Sequence, residues 1–179
     1  MTDLAAQAQT LLRLHTDPQL LSVVNVWDAI STRIVAGVEG TTAIATASHS
    51  IAASYGYEDG ENIPVDLMIG AVARVVAATD LPVTADLEAG YGNVGETIRK
   101  AIGVGVVGAN IEDQMKPLTE AVADVEAVIA AGQAEGVDFV LNARTDAYLK
   151  AGDRPHADVL ADAIERGSAY LAAGAPVVF

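Results

Sequence analysis

A chain of 179 residues is long enough for one sizeable core, and its ten basic residues against 24 acidic ones, a formal charge of −14, exclude the basic footprint that a nucleic-acid partner requires. With no cysteine, a disulfide framework, a thiolate metal site and a cysteine nucleophile are all excluded. Hydrophobic residues make up 51% of the chain but aromatic ones only 4%, so the core has to be built from Ala, Val, Ile and Leu, the profile of buried parallel strands covered by Ala-rich helices. So acidic a surface accounts for solubility and says little about substrate. The segment from Met1 to His15 lacks the basic and apolar regions of a signal peptide. No apolar run approaches the roughly 18 residues of a membrane span. The expectation is a soluble, cytoplasmic protein without a membrane partner.

In chain order, Leu4 to Leu14 reads as an opening helix, Ser22 to Val26 as a strand, Ile30 to Val38 as a helix and Thr42 to Thr46 as a second strand. Val65 to Ala78 is a helix with Pro64 at its start, where a missing N–H costs little. Pro82 to Glu88 is a third strand, Gly95 to Ile102 a helix, Val106 to Glu112 a fourth strand and Thr119 to Ala134 a helix closed by Gly136. Phe139 to Arg144 is a fifth strand, Ala157 to Ala173 a helix stopped by Gly174, and Pro176 to Phe179 the start of a sixth strand. The alternation predicts right-handed βαβ units and a parallel sheet. No linker divides it, so residues 1–179 are expected to form one domain.

A doubly wound open sheet and a (β/α)₈ barrel both fit such a pattern, and the polar residues separate them. The strands end in Asn25-Val26-Trp27-Asp28, Thr46-Ala47-Ser48-His49, Asp86-Leu87-Glu88, Asn110-Ile111-Glu112-Asp113 and Asn142-Ala143-Arg144-Thr145-Asp146. Every complete strand runs from apolar to polar in the same direction. An open sheet gathers its ligand groups at one switch point, whereas a barrel gathers them at the C-terminal ends of several strands. The fold class expected is therefore α/β, a TIM-type barrel with about six of eight βα units present. The chain stops two units short, so it is expected to be the larger, C-terminally truncated part of a barrel. Its unpaired apolar strand edges would then favour a homo-oligomer.

Residues two apart on a strand share a face, so Asp86 with Glu88, Asn110 with Glu112, and Asn142 with Arg144 are expected to point inward. Packed carboxylates repel one another and call for a compensating cation. Hard oxygen ligands without Cys suggest Mg²⁺, or Mn²⁺, rather than Zn²⁺. Asp113 and Asp146 are expected instead to cap the helices that follow them. Glu88-Ala89-Gly90-Tyr91-Gly92 is a tight turn needing positive φ. GVGVVG at 103 to 108 is no dinucleotide fingerprint, because it leaves a helix and enters a strand. The segment from Ala47 to Pro64 is too long for an idle connection and reads as a loop folded over the site. His49 reads equally as a structural or a catalytic histidine; His15 and His156 read as solvated.

The stretches NVWDA at 25 to 29, ATASHSIAASYGYEDGE at 45 to 61, VTADLEAGYG at 83 to 92, GANIEDQ at 108 to 114 and NARTDAYL at 142 to 149 together resemble the phosphoenolpyruvate mutase / isocitrate lyase superfamily. The resemblance implies an α/β barrel enzyme that binds Mg²⁺ and a small 2-oxo or 2-hydroxy carboxylate, and that cleaves or rearranges a C–C or C–P bond beside a pyruvate-like fragment. It implies Asp86 as the main metal-side carboxylate, with Asp59, Glu88 and Glu112 holding the metal largely through water. It also implies a catalytic role for Asp59, Arg144 as the substrate-binding and catalytic arginine, and Thr46, Ala47, Ser48 and His49 around the substrate carboxylate. The chain departs from the family where Glu88 replaces the usual Asp. It departs again where Gln114-Met115-Lys116-Pro117-Leu118 replaces the loop that carries a catalytic cysteine in the isocitrate and methylisocitrate lyase branch. The reading that follows is a Mg²⁺-dependent C–C or C–P bond lyase or hydrolase working through a pyruvate enolate. A phosphonopyruvate/phosphoenolpyruvate mutase and a non-catalytic carboxylate-binding barrel are the alternatives.

Overall fold

Short β-branched runs bounded by glycine and proline form strands here, and the Ala-rich stretches between them form helices. In the computed structural model, which describes residues 3–179, the order is α1 (Leu4–Thr16), β1 (Val24–Val26), α2 (Ala29–Ala36), β2 (Ile44–Thr46), α3 (Ser48–Ser54), α4 (Val65–Val76), β3 (Val83–Asp86), α5 (Val94–Gly103), β4 (Gly108–Glu112), α6 (Leu118–Ala134), β5 (Val140–Arg144), α7 (His156–Ala172) and β6 (Val177–Val178). The helices start where side chains or prolines supply the missing partners. Asp28 and Ser31 form a capping box at α2, and Asn93 accepts from Glu96 N–H at α5. Pro64, Pro117 and Pro155 immediately precede α4, α6 and α7.

The six strands lie in sequential order, every neighbouring pair parallel. A doubly wound sheet reverses its strand order at a switch point; this sheet never reverses, which is the strand order of a (β/α) barrel. Pairing aligns Asp86 with Asn110, Asn110 with Asn142, and Glu112 with Arg144. Burial alternates along β3 and over the last four residues of β4 and β5. Ala85, Ala109, Ile111, Leu141 and Ala143 are buried, the helix side of the sheet, while Asp86, Asn110, Glu112, Asn142 and Arg144 on the opposite face are only half-buried. The main core lies between sheet and helices and is made of Ala, Val, Ile and Leu, with Met68, Phe139 and Tyr170. Among the described residues no helix is long and apolar enough to cross a membrane.

Three expectations change. Residues 47 to 64 are not all loop, because Ser48–Ser54 forms α3; seven residues are too few to show a helical period. His15 is half-buried, and burial lowers its pKa. The strands are shorter than the apolar runs that mark them, since several of those residues, Val106 and Val107 among them, are buried in the core ahead of the paired segment.

Candidate active site

The polar groups collect at the C-terminal ends of β2 to β5. At β2 the chain turns directly into α3, which brings Ser48 beside the end of β3. Ser48 donates to Asp86 Oδ2 through both its N–H (3.1 Å) and its hydroxyl (2.7 Å). Thr46 is buried, and its hydroxyl accepts from Asp86 N–H at 3.0 Å. Ala47 N–H donates to the Val26 carbonyl at 3.1 Å, so the backbone here is tied to β1. His49, one residue further into α3, is exposed.

Glu88 lies beyond the end of β3 in a left-handed conformation (φ 53°), so strand alternation does not set its direction. Its carboxylate accepts from Tyr91 O–H at 2.7 Å and from Glu61 N–H, while Glu61 Oε1 accepts from Tyr91 N–H at 2.6 Å. Glu61 and Tyr91 are also left-handed. Three non-glycine residues in that region is an unusual concentration of strain, held by a closed set of hydrogen bonds. This clasp fastens the 55–64 segment over the end of β3. Burial raises the Glu88 carboxyl pKa, against the pull of Tyr91 and the Glu61 N–H, and the charges of Asp59 and Glu61 push the same way as burial. Asp59 itself is exposed on the strap.

On β4 and β5, Glu112 Oε2 and Arg144 Nη2 form a 2.8 Å ion pair. Burial raises Glu112 against the opposing pull of Arg144, with Asp146 and Asp86 adding to the rise. Burial lowers the Arg144 pKa, and the carboxylates of Asp146, Glu112 and Asp86 more than reverse it. Asn142 Nδ2 donates to Asn110 Oδ1 at 2.8 Å, and Asn142 Oδ1 is buried without a partner among the described residues. The helix caps expected of Asp113 and Asp146 are not formed, since α6 and α7 begin after Pro117 and Pro155, well beyond both acids. Asp113 is instead a buried acceptor for Tyr170 O–H (2.6 Å), Arg166 Nη1 (3.2 Å) and the N–H groups of Met115 and Asp146. Burial would raise its carboxyl, but those hydrogen bonds outweigh it and the pKa is lowered. Asp146 grips Arg144.

The donor set, oxygen throughout, suits a hard divalent cation. Asp86 binds Ser48 with one oxygen, Oδ2, and Glu112 binds Arg144 with Oε2, so each carboxylate keeps a second oxygen. Glu88 has both oxygens engaged in the clasp. Among the described residues no three His, Asp or Glu side chains gather as a ready-made metal cage. Such a set fits an ion that keeps much of its water, as Mg²⁺ does, with Asp86 and Glu112 as the carboxylates nearest to fitness.

The roles of Glu61, Tyr91, Arg166 and Tyr170 are not evident from the sequence alone. One signal existed for the last two: they occupy the buried phase of α7 with Val159 and Gly167, where an arginine needs a buried anion. Nothing local marked Glu61, one of several acids in a polar run.

A sequential parallel sheet whose carboxyl ends carry acids, amides and an arginine defines an α/β barrel protein with a polar, carboxylate-bearing mouth. The family model for phosphoenolpyruvate phosphomutase matches residues 11–179, and the chain belongs to the phosphoenolpyruvate mutase / isocitrate lyase superfamily. It is 34% identical over 142 residues to 2-methylisocitrate lyase of Shewanella oneidensis, covering 71% of this chain and 46% of that protein. It is 29% identical over 190 residues to isocitrate lyase of Haloferax volcanii, covering 97% and 53%. A crystal structure from Burkholderia cenocepacia J2315, provisionally assigned as a phosphonomutase, superposes with a TM-score of 0.92 at 40% identity, covering 99% of this chain and 74% of that one. The chain spans about half the length of these curated relatives.

Proposed function

We propose that this chain carries the active site of an enzyme that breaks a C–C or C–P bond in a small 2-oxo carboxylate, such as an oxaloacetate-like or phosphonopyruvate-like substrate. The observation that carries the reading is Arg144, fixed between Glu112 and Asp146 beside Asp86. A guanidinium held in place binds a carboxylate with directional, charge-assisted hydrogen bonds. Ser48 and Thr46 hold Asp86 by side chain and backbone, which leaves Oδ1 for a ligand. Asp59, at the solvent edge of the strap, is the proposed group for proton exchange, and Ala47 and His49 are proposed to border the substrate carboxylate. Asp86 and Glu112 would hold Mg²⁺, or Mn²⁺, largely through water, with Glu88 contributing only if the clasp opens. When bound, the ion supplies a Lewis acid for negative charge developing on the substrate's C2 oxygen.

The test is pyruvate release from a panel of 2-oxo acids, with and without Mg²⁺. Release should require the metal and should fall by about 10² to 10³ in Arg144→Lys, which keeps the charge but loses the guanidinium's positioned donors. No release from any substrate, or release that survives Asp86→Ala, overturns the reading. The matching family model favours a phosphomutase as the second reading. Against it, Lys116, the lysine nearest the end of β4, is paired with Asp124 at 2.8 Å, and a migrating phosphoryl group needs free cations. Phosphorus NMR separates the two, because a mutase conserves organic phosphorus and a hydrolase releases phosphate.

A further inference from the structure

We propose that Asp146 is a positioning residue for Arg144, and that Asp113, gripped by Arg166 and Tyr170 of α7, anchors the pair. The inference rests on Arg144 as the carboxylate-binding group and adds what holds it. Asp146 is 1% exposed. Its Oδ1 accepts from Arg144 Nε at 2.9 Å and lies 2.8 Å from Nη2. Its Oδ2 is buried with no hydrogen-bond partner among the described residues, and Lys150 Nζ is 3.9 Å away. A buried carboxylate with one unmatched oxygen is costly, so the fold keeps at this position a group that it does not fully satisfy. What Asp146 does accomplish is directed at Arg144.

The backbone around that pair is fixed from outside the sheet. Asp113 N–H donates to the Arg144 carbonyl at 3.0 Å, and Asp113 Oδ1 accepts from Asp146 N–H at 3.0 Å. One residue thus holds the chain on both sides of Thr145. Asp113 Oδ2 is in turn held by Tyr170 O–H and by Arg166 Nη1, and Arg166 Nη1 also reaches the Lys116 carbonyl while Nε binds Asp162. The path from α7 to the site is continuous: Tyr170 and Arg166, Asp113, Asp146, Arg144, Glu112. With Nε and Nη2 occupied by Asp146 and Glu112, Arg144 is held in one rotamer, and Nη1 is the nitrogen left for a ligand. The freedom of a long side chain is removed before the substrate arrives, which is how preorganisation raises affinity.

The Arg144 Nε–H signal reports this directly. It is followed by nitrogen-15 NMR in the 179-residue chain and assigned by its disappearance in Arg144→Lys. Asp146→Asn preserves shape and removes the charge. It should speed solvent exchange of Nε–H by about 10-fold or more and weaken oxalate, titrated with Mg²⁺ by calorimetry, by about 10- to 100-fold, the range of a charge-assisted hydrogen bond. Tyr170→Phe removes only the hydroxyl on Asp113, and should move both readouts the same way by less; it carries the test if Asp146→Asn does not fold. Asn93→Ala, which loosens the start of α5 away from this path, should lower Tm and move neither readout. An Arg144 signal unmoved in the folded variants, or a freed signal with oxalate affinity unchanged, overturns the inference. Failure of the carboxylate-binding reading is distinct: wild-type protein then shows a protected Nε–H but binds no oxalate, and the inference falls with it.

Discussion

At the scale of single residues, the clasp of Glu61, Glu88 and Tyr91 explains what a glutamate does where relatives are expected to carry aspartate. The extra methylene lets the Glu88 carboxylate reach the Tyr91 hydroxyl and the Glu61 N–H. Both oxygens then serve the strap rather than a cation. Burial and the Glu88 and Glu61 carboxylates hold the Tyr91 phenol far above its ordinary pKa, so it remains a donor across the useful pH range. Tyr91→Phe leaves a buried carboxylate oxygen unmatched. It should cost about 1–3 kcal/mol, read as a lower Tm, and should raise proteolytic cleavage within 55–64. An unchanged melt with an unchanged digestion pattern would show that the clasp does not hold the strap.

At the scale of elements, close approach and charge decide the packing of α1 and α7. Gly108 opens β4 with α1 against it: a Cβ there would lie 2.7 Å from Leu11 Cδ2 and 2.8 Å from the Val140 carbonyl. The carbonyl belongs to the paired strand and cannot yield, so Gly108→Ala should destabilise by about 1–3 kcal/mol, measured by urea unfolding. On α7, Asp162 sits between Arg154 (3.0 Å) and Arg166 (2.9 Å). Partial burial raises its carboxyl, but the two arginines outweigh this and the folded pKa is lowered. A lowered acid stabilises the fold above its unfolded pKa, about 3.9, and loses that contribution as pH falls through the folded value. Asp162→Asn should therefore be less stable at neutral pH and show a shallower loss of stability below about pH 4. Parallel curves for variant and wild type would refute this.

At the scale of the molecule, the sheet has two ends, β1 and β6, and apolar side chains stand exposed near both. Ile30, Ile34 and Val38 form a stripe on and beyond α2 beside Val24 of β1. Leu160, Ile164 and Leu171 of α7 lie at the other end with Leu149 and Phe179. There a groove of about 630 Å³ is lined by Tyr148, Leu149, Ile164, Val178 and Phe179, with Arg144, Thr145 and Asp146 at its site end. Apolar surface on this scale beside unpaired strand edges drives association. The 179-residue chain is expected to self-associate, as light scattering behind size-exclusion would record. A monodisperse monomer at tens of micromolar would contradict it.

Much of this molecule is legible in its amino-acid sequence, because the relevant information is local. A period of two along each strand and a repeated change from apolar to polar place Asp86, Asn110, Glu112, Asn142 and Arg144 on one face at one end. Local patterning is enough to set the alternating α/β architecture and that inner face. The tertiary structure alone decided which charges meet. Ser48 reaches Asp86 across 38 residues, Glu61 reaches Glu88 across 27, and Tyr170 reaches Asp113 across 57. No local periodicity encodes such pairings; they arise when helices pack onto the sheet and buried carboxylates take whichever donors lie within reach.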